Sequence, residues 1–128
     1  MKYVLIAEDD PAIAELISEA VCDNLYIGCH VVANGALVPD AIMARRPDLL
    51  ILDVGLPGLS GLDVFDLVRS DPRYDGIPVL FLTGTPDKAE GAFAGGGKHV
   101  VMGKPFDVDE LIMRVDEMVD GKVSAPAA

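Results

Sequence analysis

"YVLIAEDDP" at residues 3–11 and "LLILDVGLPGLSG" at residues 49–61 decide how this chain is read. Each starts as an unbroken aliphatic run, turns acidic, and passes into proline or glycine. Short apolar runs without polar alternation are what strands look like when both faces are covered. The first is followed by Asp10-Pro11, an acid at a helix cap with proline in the first turn. Ile13, Leu16, Ile17, Ala20 and Val21 then share one helical face. The second ends at Asp53 and a Gly/Pro loop, and "LDVFDLVRS" predicts the next helix.

The same alternation continues in both directions. "GCHVVA" (28–33) reads as a strand, and "ALVPDAIMARR" as a helix with Leu37, Ala41 and Ile42 on one face and Pro39 in its first turn. "IPVLFLT" (77–83) and "HVVM" (99–102) are further strands, with "DLLILD" (48–53) as the third of five. Thr85-Pro86-Asp87 is a helix start. The helix it opens contains Gly91, Gly95, Gly96 and Gly97, each costing about 1 kcal/mol relative to alanine in a helix interior. "DVDELIMRVDEMV" (107–119) predicts a last helix with Leu111, Ile112, Val115, Met118 and Val119 as its stripe. Repeated βα units predict an α/β fold with a parallel sheet covered on both sides.

The 128 residues suit one domain, expected over 1–120, with 121–128 ("GKVSAPAA") as a flexible tail. The apolar runs fall far short of the roughly 20 residues that span a bilayer, and no signal peptide is visible. A cytoplasmic, membrane-free protein is the expectation. The net charge of −11 is unfavourable for direct nucleic-acid binding and suits docking on other proteins. Cys22 and Cys29 lack metal-ligand spacing and read as plain thiols. His30 and His99 are isolated, and each reads as core or surface. "AGGGK" lacks the spacing and the Ser/Thr of a phosphate loop.

In parallel α/β sheets ligands bind at the carboxyl ends of the strands. Those ends supply Glu8, Asp9 and Asp10 from the first strand, Asp53 from the third, Thr83 from the fourth and Lys104 from the fifth. Two carboxylates about 4 Å apart repel by roughly 4 kcal/mol at an effective dielectric of 20. One lysine cannot neutralise the group, so either a carboxylate stays protonated or a cation binds. Oxygen ligands of this kind suit Mg²⁺. A cation beside an exposed carboxylate, a lysine and a hydroxyl is also what phosphoryl transfer requires. Each piece has a plain structural reading as well. Asp10 before Pro11 is a helix cap, Thr83 an ordinary strand residue, Lys104 a surface lysine. It is their assembly at one rim that points to chemistry.

"IAEDD", "LLILDVGLPGLSGLDV", "VLFLTG" and "GKPFDVDEL", in this order and spacing, resemble the receiver domain of bacterial two-component response regulators over residues 2–120. The resemblance implies a flavodoxin-like (βα)5 sandwich with strand order 2-1-3-4-5 and five helices. It implies that Asp53 accepts a phosphoryl group from a phosphohistidine on a sensor histidine kinase or a phosphotransfer protein. Asp9 and Asp10 resemble the acidic pair that holds Mg²⁺, Asp10 directly and Asp9 through water, with Asp53 and the Gly55 carbonyl completing the metal set. Thr83 and Lys104 match the hydroxyl and the ammonium that meet the phosphoryl group, and Pro105 the proline often preceded by a cis peptide. Gly55 and Thr85 flank the site and are expected to tune the lifetime of the phosphorylated state.

Val101 departs from the pattern. The family often carries an aromatic residue there, whose rotation follows the threonine. With a valine in that place and a glycine-rich fourth helix, an order–disorder change over 86–98 is the expected readout. After Val119 only the short tail follows, so the expectation is a regulator or relay protein that acts by being bound. It would have no output domain, bind no nucleic acid, and turn over nothing beyond its own phosphorylation and dephosphorylation. The alternative is a pseudo-receiver that binds proteins without phosphorylation.

Overall fold

The computed structural model of the chain describes residues 1–84 and 99–120. Five strands, β1 (Tyr3–Ala7), β2 (Gly28–Val32), β3 (Leu49–Asp53), β4 (Val79–Thr83) and β5 (His99–Gly103), form one sheet in the order 2-1-3-4-5. Every pairing is parallel. Four helices are described: α1 (Pro11–Leu25), α2 (Val38–Ala44), α3 (Gly61–Ser70) and α4 (Val108–Val119). The glycine-rich fourth helix expected from the sequence and the 121–128 tail lie outside the described residues.

β1, β3 and β4 are buried along their whole length, yet the period of two still sorts their side chains. Leu5, Ala7, Leu50, Leu52, Val79 and Phe81 pack with Val38, Ile42, Val64, Phe65 and Val68 of α2 and α3. Val4, Ile6, Leu49, Ile51, Leu80 and Leu82 pack with Ile17 and Val21 of α1 and with Leu111, Val115 and Met118 of α4. Two apolar layers therefore flank the sheet, which is why these strands show no polar alternation in sequence. The edge strand β2 leaves His30 and Val31 exposed.

Local signals start each helix. Asp10 Oδ1 accepts from the amides of Ala12 (2.9 Å) and Ile13 (3.3 Å), with Pro11 at the first helical position. Ser60 and Asp63 form a reciprocal capping box on α3. Asp107 Oδ1 accepts from the Glu110 amide on α4.

Two predicted core positions are wrong. Leu16 is 44% exposed and Leu37 is 53% exposed. Leu16 lies on the flank of α1, whose buried stripe is Ala14, Ile17, Ala20 and Val21. Leu37 closes a single 3-10 turn (Gly35–Leu37), so α2 starts one residue later and buries Val38 and Ile42, four apart. β4 begins at Val79 rather than Ile77, because Pro78 has no amide to donate to a ladder. Both cysteines are free thiols. Burial, with the neighbouring Cys22 thiol adding to it, pushes the Cys29 thiol up to about 12. No described helix is long and apolar enough to cross a membrane.

Candidate functional site

The parallel register brings four strand ends to one rim. Ala7 stands beside Leu52, Asp53 beside Leu82, and Thr83 beside Gly103. Each chain then overruns its strand by one further backbone bond: Glu8 N–H donates to the Val32 carbonyl, Val54 to Leu82 and Lys104 to Thr83. These bonds hold the first residues of the loops in line with the sheet.

Lys104 Nζ sits 2.6 Å from Glu8 Oε1 and 3.3 Å from Asp53 Oδ2. Asp53 Oδ1 accepts from the Gly55 amide at 3.1 Å. Glu8 Oε2 accepts from the Asp10 amide at 3.3 Å. Glu8, Asp9 and Asp53 each offer an oxygen within 4.8 Å of the other two. Glu8 and Asp53 are buried and Asp9 is exposed, so the carboxylate cluster is open to solvent on the Asp9 side. Thr83 is buried at the end of β4, on the same rim. The Lys104–Pro105 peptide is cis, as the resemblance implies.

Burial pushes the Glu8 carboxyl above the ordinary carboxylate range; Lys104 pulls it back down, and the nearby Asp53 pushes it up again. Burial lowers Lys104, but its hydrogen bond to Glu8 and the charges of Asp53 and Glu8 outweigh that and raise it. The two partners move in a consistent sense once the excess of negative charge is counted: a single ammonium serves two carboxylates. Hard oxygen donors, a surplus of negative charge and an open side fit a divalent cation such as Mg²⁺.

The carboxylates nearest Asp53 are Glu8 and Asp9. The resemblance implies Asp10 as a direct metal ligand, and in the structure its carboxylate serves the start of α1. Its Oδ1 is engaged by two amides at the start of α1, and the residues that converge on Asp53 are Glu8 and Asp9. This is the cap that Asp10-Pro11 predicts, since proline at the first helical position makes the preceding residue the cap. In sequence Glu8 is not told apart from Asp9 and Asp10, because three acids in a row are chemically alike. Gly55 reaches Asp53 through its amide. Val101, in register with Phe81, packs half-buried against the α2–α3 layer. His99 is half-buried too, with its ring edge-on to Phe65 and Phe81.

Residues 4–116 match the pattern of the response regulator receiver domain. The chain belongs to that family. It is 38% identical over 117 residues to the probable transcriptional regulatory protein TcrX of Mycobacterium tuberculosis, a match spanning 88% of this chain and 47% of that protein. It is 36% identical over 121 residues to the DNA-binding regulator RpaA of Synechocystis, covering 90% of this chain and 48% of the relative. The chain thus spans about half the length of these curated relatives. Among solved structures, a putative response regulator from Chloroflexus aurantiacus superposes with a TM-score of 0.82 at 31% identity, covering 93% of this chain and 98% of the other. Response regulator receiver domains work in phosphorelay signalling, and the flavodoxin-like sheet order seen here is theirs.

Proposed function

We propose that this receiver domain takes a phosphoryl group on Asp53 from a phosphohistidine of a sensor histidine kinase or phosphotransfer protein, with Mg²⁺ held by Asp9, Asp53 and the Gly55 carbonyl and supported by Glu8. The observation that carries this reading is the division of labour at Asp53. One carboxylate oxygen is fixed by the Gly55 amide and the other faces the Lys104 ammonium. A carboxylate held this way is oriented for attack and stands beside a cation that can meet incoming negative charge.

In the reaction a carboxylate oxygen of Asp53 forms the new O–P bond as the P–N bond to the donor imidazole breaks. The leaving imidazole takes up a proton from solvent. Lys104 turns from the carboxylates toward the transferred group and holds its charge. The Thr83 hydroxyl donates to a phosphoryl oxygen from the neighbouring strand. Bound Mg²⁺ supplies the positive charge that offsets the equatorial oxygens during transfer. Glu8 keeps Lys104 at the rim between events, because its buried carboxylate is the nearer partner.

The output is docking on other proteins in the cytoplasm, which the net charge of −11 favours over contact with nucleic acid. Incubation with Mg²⁺ and a small phosphodonor should add one base-labile phosphoryl group per chain, detected by intact mass. Asp53→Asn should abolish the addition. A wild-type chain that stays unmodified would instead be a phosphorylation-independent binding module.

A further inference from the structure

We propose that the Asn34–Gly35 turn between β2 and α2 is a positioning element for the loop that follows Asp53, and so sets the geometry of the phosphoacceptor. This rests on the role given to Asp53 above. In the strand order 2-1-3 the β2–α2 and β3–α3 connections lie on either side of the β1–α1 connection that carries Glu8 and Asp9. The two flanking connections meet. The Gly35 amide donates to the Pro57 carbonyl at 3.0 Å. A Cβ on Gly35 would overlap the Leu59 carbonyl oxygen, and one on Gly58 would overlap the Asn34 side chain. Gly58 also has a φ of +77°, a conformation open to glycine at little cost.

Asn34 is itself held. Its Oδ1 accepts from the Ala36 amide at 2.7 Å, so the surface it offers to Gly58 is fixed by its own turn. The far end of the loop is fastened as closely. Gly61 N–H donates to the Val54 carbonyl at 3.1 Å, and a Cβ there would stand 2.7 Å from the Asp53 carbonyl oxygen. Between these fixed points lies Gly55, whose amide selects Asp53 Oδ1 and leaves Oδ2 facing Lys104. A shift of residues 57–59 is therefore carried to the bond that orients the attacking carboxylate. Backbone close packing transmits such a shift because it has no free volume to absorb it.

The test uses the full chain and two variants. In Gly35→Ala the Gly55 amide resonance should move and Mg²⁺ affinity should fall, while the amides of Ile51 and Leu80 stay in place. Phosphorylation by a small phosphodonor should slow by about tenfold, the scale of a sub-ångström misplacement of a reacting group. Asn34→Ala should act in the same direction but more weakly, and Asn34→Ser, which keeps an acceptor for the Ala36 amide, should recover most of the loss. If Gly35→Ala fails to fold, Asn34→Ala and its serine counterpart decide. Wild-type Gly55 shifts and Mg²⁺ affinity in the folded variants would overturn the proposal. If the wild-type chain takes no phosphoryl group, the role of Asp53 fails, and the amide shifts and the Mg²⁺ titration still decide whether the turn positions the loop.

Discussion

The middle of the sheet and its carboxyl rim are built from the same strands under opposite constraints. Leu49, Leu50, Ile51 and Leu52 are fully buried between two apolar layers. One residue further on, Asp53 shares a lysine with a buried glutamate. The centre gains from every methylene it hides, about 0.8 kcal/mol each. The rim gathers three carboxylates around one ammonium, and their mutual repulsion is only partly offset. A rim of this kind persists because the centre holds it. The backbone bonds that continue the ladder to Glu8, Val54 and Lys104 leave the carboxylates little room to separate.

Changes at the two regions should separate stability from chemistry, and the largest effect belongs to the centre. Phe81 is fully buried with its ring edge-on to Phe65 at 5.2 Å. Phe81→Ala should lower unfolding stability by about 3–5 kcal/mol in denaturant titrations. A loss under about 1 kcal/mol would mean that the α2–α3 layer collapses readily around the gap, and the contrast between rigid centre and strained rim would weaken.

At the rim, neighbouring acids should behave differently. Asp9→Ala should reduce Mg²⁺ affinity by about tenfold or more, as losses around metal ligands do, with little change in melting temperature. Asp10→Ala should leave Mg²⁺ affinity intact and cost about 0.5–2 kcal/mol of stability, the cost of a lost helix cap. The reverse pattern in calorimetric titrations and thermal melts would restore Asp10 to the metal.

The smallest effect concerns proton balance. The folded-state pKa of Glu8 lies above its ordinary value of 4.5. Protonated Glu8 therefore favours the folded chain, fully so below that ordinary value, and the contribution is lost as pH rises through the raised one. Without divalent ions, the wild type should lose stability relative to Glu8→Gln across this window. The raised Lys104 enters only in the alkaline range, where its own contribution is lost as pH rises through its folded value. Melting curves of the two proteins that run parallel with pH would show that ionising Glu8 costs nothing.

Much of this is legible in the sequence alone. Apolar runs, Asp10-Pro11 and the helical stripes determined a parallel α/β sheet, because both the strand and the helix periods are local properties. The rim membership of Asp53, Thr83 and Lys104 followed from the same reading. Three things depended on tertiary structure. Leu16 and Leu37 look like core residues in a periodic pattern, but the start of a helix and the neighbours on its flank set the stripe that is covered. Glu8, Asp9 and Asp10 carry the same functional group, and only the end of β1 and the start of α1 decide which of them face Asp53 and which one caps the helix. The seating of Asn34 and Gly35 on the loop after Asp53 joins segments more than twenty residues apart. Sequence spacing carries no record of that approach, because the strand order lays the two loops side by side.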